Sequence, residues 1–345
     1  MVSRSKPACA PAAWVLSLTA LLLCCSCAPR AKREVVVYTS VDLVYSEPFF
    51  RQFEQDTGIT VKPKYDIEAA KTTGLVNALI AEQAKPRADV FWNGEIAQTL
   101  VLQERGVLQP YVSPNATDIP AAYRDPEGYW TAFGGRARVF IVNTNLLQPE
   151  DYPASLWDML ADRYPAASIG VAKPLFGTTA TQAAALYATI GAEAARAFFL
   201  QLERRGVSFV DGNSVVRDLV QDGQLAFGLT DTDDALVALQ NGKPVAVVFP
   251  DQGEGELGAL VIPNTVAMVR AGPNPEEARA FIDYLLRHES ERALVESGWC
   301  QVALRPVGAR SPLEIAGLRT MEITFEAIFA NLNQALDELR PIFVN

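Results

Sequence analysis

Polar side chains recur wherever an apolar run gives way to a helix-forming stretch. Thr39, Ser40 and Asp42 follow EVVVY, and Trp92, Asn93 and Glu95 close and follow ADVFW. Gly177, Thr178 and Thr179 follow SIGVAKP, Asn213 and Ser214 follow VSFVDG, and Thr230 to Asp234 close LAFGLTD. In open α/β sheets, ligands sit beyond the carboxyl ends of strands, where helix N-termini present free N–H groups. Ser, Thr, Asn and Asp are also the common helix caps, so one such loop alone carries little. Recurrence after successive strands carries more.

Two of these loops point to opposite chemistries. The turn Phe176-Gly177-Thr178-Thr179 opens a helix, so its amides and hydroxyls suit an anion, with Arg136 or Arg138 as partner. Alternation along RARVFIVNTN (136–145) puts both arginines on one face, where they either meet a ligand or form an ion pair. Asp231, Asp233 and Asp234 instead gather three carboxylates at a strand end, which suits a hard cation bound through oxygen. The same cluster could cap a helix or accept hydrogen bonds from an amine or sugar hydroxyls.

Catalytic readings find little support. The chain has 1 histidine, His288, in the charged stretch LLRHESER, which removes His-based triads and His-rich zinc sites. Cys300, in SGWCQV, has no nearby basic partner and reads as buried. Neither a phosphate-cradling lysine motif nor a dinucleotide glycine fingerprint occurs. The expectation is a non-enzyme with no catalytic residue and no resident cofactor. A carboxylate-based hydrolase is the distant alternative, and a structural surface lipoprotein another. A formal net charge of −10 argues against nucleic acid as partner.

The elements behind these loops alternate. A strand over residues 34–38 precedes a helix carrying Phe49, Phe50 and Phe53 and stopped by Gly58. ITVKPKY reads as a strand, 71–85 as a helix and ADVFW as a buried strand, the pattern of a parallel sheet covered on both faces. The chain changes course after Gly134, along strand 136–145, into a second α/β unit, and returns through strands in 244–269 and helices 276–286, 289–295 and about 321–339. Residues 1–27 combine a basic start, a short apolar run and Ser26-Cys27, the plan of a lipoprotein signal peptide with Cys27 acylated. The expected organisation is the leader 1–27, a tether 28–34, lobe 1 from 35–142 plus 258–345, and lobe 2 from 143–257.

VVVYTSVD, ADVFWNGE, WTAFGGRARVFIVNTN and PLFGTTATQAA, with DGNSVVRDLVQDGQLAFGLTDTDDAL and VFPDQGEGELGALVIPNTVAMV, resemble extracellular solute-binding proteins of bacterial ABC importers. They resemble in particular the branch labelled ferric-iron binding. The resemblance implies a two-lobed type II periplasmic-binding fold, a monomer that delivers its ligand to permease and ATPase subunits. It also implies export to the periplasmic or cell-surface side, anchored to the membrane by lipid. Ferric ion is the ligand it implies first, with Asp233 and Asp234 as metal ligands. Relatives on this branch also bind small phosphorylated or phosphonate solutes. Ferric-binding members carry two adjacent tyrosines where this chain has Asp233 and Asp234, and Tyr45 is the one phenol near the first loop.

If Cys27 is acylated, Cys27→Ser protein should leave the detergent phase in which membrane lipoproteins partition. Unchanged partitioning of the variant would remove the lipid anchor from the account.

Overall fold

The fold comes from a computed structural model that describes residues 1–3, 33–66, 73–313, 315 and 317–344. The chain divides into Met1–Arg33 and Glu34–Asn345. The leader, Cys27 and most of the tether therefore lie outside the described residues. No helix among the described residues is long and apolar enough to cross a membrane.

From Glu34 onward, strands and helices alternate: β1 (Glu34–Thr39), α1 (Leu43–Thr57), β2 (Thr60–Tyr65), α2 (Thr73–Ala81), β3 (Val90–Asn93) and α3 (Ala97–Glu104). The short β4 (Leu108–Gln109) leads to the fourteen-residue β5 (Trp130–Asn143). A second alternation follows: β6 (Ile169–Ala172), α4 (Gly177–Ile190), α5 (Ala192–Arg205), β7 (Ser208–Val210), α6 (Asn213–Gln221), β8 (Phe227–Asp231), α7 (Thr232–Gln240) and β9 (Val245–Val248). The chain ends with β10 (Val261–Val269), α8 (Pro275–Leu285), α9 (His288–Glu296) and α10 (Phe325–Phe343).

β2, β1 and β3 pair in parallel; β3 is buried throughout and β1 over most of its length, whereas β2 is the edge strand and exposes Lys62, Pro63 and Lys64. The apolar stripe of α1 supplies Phe50 and Phe53, which pack with Trp92 and Phe281. Gly58 ends α1 in the left-handed conformation and returns its N–H to the Glu54 carbonyl. On the other side, β8 and β7 flank β6 in parallel, and α4, α5 and α10 pack against one another.

β5 joins the two groups. Trp130 to Ala137 pair antiparallel with β10, whereas Arg138 to Val142 pair antiparallel with β8 and the end of the strand with β9. The result is a two-lobed α/β fold whose lobes share a strand, so the chain changes course inside that strand. β5 starts at Trp130, six residues before the sequence-based boundary at 136. The sequence places Gly134-Gly135 before the strand, where the chain changes course. They instead sit at an irregularity where β10 shifts register at Pro263/Asn264. Gly134 has φ +50°, and a Cβ there would lie 2.7 Å from Cys300 Sγ, so a bare backbone is needed for the close approach.

Smaller differences have local causes. The helix expected over 71–85 ends at Ala81, and 82–85 form turns before Pro86, which disfavours helical backbone at the residue it follows; Lys71 lies outside the described residues. The last helix starts at Phe325 rather than near 321, because the Thr324 hydroxyl accepts the Ala327 N–H and caps it there.

Candidate functional site

The strand-end loops of both lobes meet around one cavity of about 270 Å³. Ser40 and Asp42 enter from the β1–α1 loop and Glu95 from the β3–α3 loop. Gly177, Thr178 and Thr179 come from the start of α4, Asn213 and Ser214 from the start of α6, and Asp231, Asp233 and Asp234 from the β8–α7 junction. Arg136 reaches it from β5.

Five residues expected to line it do not. Trp92 is fully buried among Phe50, Phe133 and Phe281, because the pleat of β3 turns it to the core. Thr39 Oγ1 accepts the Val41 N–H and shapes the turn. Asn93 Oδ1 accepts from Ser40, whose hydroxyl accepts the Gly94 N–H, so this amide fixes the loop from behind. Thr230 donates to the Asn213 carbonyl and to Asp234 from beneath. Arg138 is 0% exposed and lies behind the wall.

Arg138 nevertheless organises that wall. Its Nη1 donates to Asp231 at 2.7 Å, to Asn213 at 3.1 Å and to Thr178 at 3.2 Å, and its Nε donates to Gln182 at 2.8 Å. One guanidinium thus ties together the starts of α4 and α6 and the end of β8. Arg136 lies beside it, donating to Asp233 at 3.0 Å and to the Gly94 carbonyl at 2.6 Å, with Asp231 at 3.9 Å. Its guanidinium lies over the Trp299 ring, 4.5 Å from the centroid. Arg217 of α6 pairs with Asp234 at 3.2 Å. Of the two readings open for Arg136 and Arg138, both form buried ion pairs, and Arg136 also borders the cavity.

These pairs set the ionisation. Burial pushes the Asp231 carboxyl up, but Arg138 and Arg136 overcome it and hold the group below the usual carboxylate range. Burial also pushes Glu95 up, against hydrogen bonds from the Gln98 amide and the Thr181 hydroxyl. Tyr45 lies tilted against Trp299 with ring centroids 4.9 Å apart, and burial together with Asp233, Asp42 and Asp234 pushes its phenol up to about 12. A phenolate is disfavoured there.

Two helix starts open on the cavity without a side-chain cap. Neither α4 nor α6 has one, and the first-turn amides of a helix have no intrahelical acceptor. Gly177, at φ +58°, turns the chain into α4. Asp231, Asp233 and Asp234 also place one oxygen each within 4.8 Å of one another. Arginines offset all three carboxylates, Arg217 dividing its charge between Asp234 and Asp218 at 2.9 Å.

Sequence reasoning missed Trp299 and Arg217. Trp299 lies in the SGWCQV loop that reads as core, and it is buried there, but one edge faces the cavity. Arg217 follows Asn213 by four positions on α6, a helical spacing that places it on the same face. His288, expected to be solvated, is half-exposed and its Nε2 lies 2.7 Å from Asp118. Cys300 is buried as expected, and burial raises its thiol strongly.

The family described as "Bacterial extracellular solute-binding protein" matches residues 88–316. The chain belongs to this family. Among curated relatives of this solute-binding protein is "Iron uptake protein A1" of Synechocystis, 26% identical over 79% of this chain and 76% of its own length. Another is a "Putative 2-aminoethylphosphonate-binding periplasmic protein" of Salmonella typhimurium, 24% identical over 79% of this chain and 80% of its own. Iron-bound HitA from Pseudomonas aeruginosa superposes with a TM-score of 0.81 at 21% identity, covering 90% of this chain and all of that one. The periplasmic-binding fold expected from the sequence is thus shown.

Because Asp231 is stabilised by two buried arginines, Arg138→Gln should lower the unfolding free energy by about 3–5 kcal/mol in denaturant titrations. The folded Asp231 carboxyl is depressed, so its contribution is complete above the unfolded value of about 4 and is lost as pH falls through the folded value. Asp231→Asn protein should lack this part of the acid-limb loss. An Arg138→Gln variant as stable as the wild type would remove the buried pair from the account.

Proposed function

We propose that this solute-binding protein serves an ABC import system and captures a small organic phosphate or phosphonate between its lobes. The observation that carries the reading is the division of labour in the cavity wall. Arg136, Arg138 and Arg217 engage three aspartates, two of which, Asp233 and Asp234, stand where the ferric branch, by resemblance, has its adjacent tyrosines. A trivalent ion about 5 Å from a guanidinium is repelled by roughly 10 kcal/mol at an effective dielectric near 20, which offsets much of what the carboxylates supply. The uncapped starts of α4 and α6, with the Ser214 hydroxyl beside them, offer an anion several donors at once, while Thr178 and Asn213 donate to Asp231 and hold those starts in place. Asp42, which enters from the β1–α1 loop, suits a cationic end of the same molecule. The Salmonella relative named for 2-aminoethylphosphonate supports this class, as does the AfuA structure from Actinobacillus pleuropneumoniae with fructose-6-phosphate bound.

Ferric ion, favoured by resemblance and by the names of other relatives, is the second reading. The three close carboxylate oxygens are the observation in its favour. In either case the lobes would bend about β5 and the return before β10, with the division inside β5 near Arg138 rather than at 142 and with α10 packed on α4 and α5. The ligand would then pass to a permease and ATPase, with the protein held at the membrane through Cys27.

A thermal-shift panel of 2-aminoethylphosphonate, fructose-6-phosphate, inorganic phosphate and ferric citrate, each with and without chelator, tests this. An organic phosphate or phosphonate at a hundredfold excess over Kd should stabilise by roughly 2.7 kcal/mol, unchanged by chelator. It should also lower the radius of gyration in solution scattering. Thr178→Ala should weaken the shift more than Asp233→Ala. A shift confined to ferric citrate, abolished by chelator and by Asp233→Ala, would overturn the proposal in favour of iron.

A further inference from the structure

A second cavity, of about 450 Å³, opens between the loop of residues 112–128 and the start of α10. It shares no lining residue with the interlobe cavity. Its walls are aromatic and aliphatic: Tyr123 and Phe325 lie 5.8 Å apart, with Val112, Ala116 and Ile323 around them. Arg124 is set into this surface. Its Nε is buried without a partner, and its side chain makes no hydrogen bond or ion pair among the described residues. Arg136, Arg205 and Arg287 also bury an unpartnered Nε, but each carries a terminal nitrogen to an aspartate. Arg124 does not. The neighbouring Asp125 is committed elsewhere, accepting from Gln103 and from the Glu127 and Tyr129 amides. Glu326 also lines the cavity, and it is not within ion-pairing distance of Arg124.

A buried donor of a charged group without an acceptor costs about 1–3 kcal/mol or more, and such groups in folded proteins generally have a partner. The buried Nε has no surface a ligand could reach, but Arg124 lines the cavity and its terminal nitrogens, also without a protein partner among the described residues, can meet an acceptor that enters there. The geometry points to a second ligand site in which Arg124 receives the carboxylate of a small organic acid whose apolar body lies against Tyr123 and Phe325. Asp125 and Glu326 line the cavity too, so Arg124 is its one cation beside two carboxylates, and the apolar walls select an aryl or alkyl carboxylate over an inorganic anion, which would leave them uncovered. The Tyr123 phenol, raised by burial, stays neutral and can donate alongside Arg124.

Titration of the full-length protein with phenylacetate, followed by heteronuclear NMR or calorimetry, tests the site directly. Benzylamine serves as the charge-reversed control and inorganic phosphate as the anion without an apolar body. Phenylacetate should bind wild type, and benzylamine and phosphate more weakly. Arg124→Gln should lower phenylacetate affinity at least about tenfold, the loss expected of a charge-assisted hydrogen bond. Glu326→Gln, which removes a nearby negative charge, should raise it. Thr178→Ala, in the interlobe cavity, should leave it unchanged. Circular dichroism and the melting temperature establish that each variant is folded. Absence of phenylacetate binding to the wild type would overturn the site. So would binding that Arg124→Gln leaves intact, or binding lost in Thr178→Ala.

Discussion

The charge of Asp231, buried between Arg138 and Arg136, is the constraint on which the cleft depends. A carboxylate removed from water is tolerable only when paired and hydrogen-bonded, and the pairing fixes three elements at once. Arg138 comes from the shared strand β5, Asp231 from the end of β8, and the residues that complete the cage, Thr178 and Asn213, from the first turns of α4 and α6. Thr178 and Asn213 both donate to Asp231 Oδ2, at 2.7 and 3.0 Å. The helix starts are thereby aimed at the cavity by the same network that neutralises the carboxylate. Binding geometry and stability rest on one cluster.

That cluster also decides how the acidic patch behaves. From its composition alone, Asp231-Thr232-Asp233-Asp234 looks like a cation site. In the fold, each aspartate has an arginine within 3.2 Å, and two of those arginines are separated from their partners by more than ninety positions. The patch is a neutralised wall, not a reservoir of free negative charge. Tyr45 adds to this, since its surroundings keep the phenol protonated. Donors that remain for a ligand are the first-turn amides of α4 and α6 and the Ser214 hydroxyl.

Much of this was legible in the sequence. The alternation of apolar runs and amphipathic helices gave the α/β architecture, and Gly58 gave the end of α1. The strand-end rule brought loops separated by up to about 195 positions to one cavity, because side chains such as Ser40 and Asp234 need only follow a strand terminus to arrive there. Local pattern could not separate cavity from support. Trp92 and Asn93 alternate on β3, and which face looks into the core depends on what α1 and α8 bring against it. Arg138 and Asp231 read as site residues, but their mutual burial depends on a β5–β8 pairing that period-two alternation does not encode. Trp299 was invisible for a related reason: a tryptophan in an irregular loop has no periodic pattern to say which edge is exposed. Gly134-Gly135 misled for the opposite reason, since a strand that passes under Cys300 needs the same residues as a strand that stops.

The central claim is that arginines hold the carboxylates and that helix amides hold the ligand, so the cargo is an organic anion. Native mass spectrometry of the protein purified from its own host, without added ligand, tests it most directly. The account predicts a retained adduct with the mass of a small organic phosphate or phosphonate that persists after chelator treatment and disappears in Thr178→Ala protein. An adduct of iron mass that chelator removes and Asp233→Ala abolishes would contradict it.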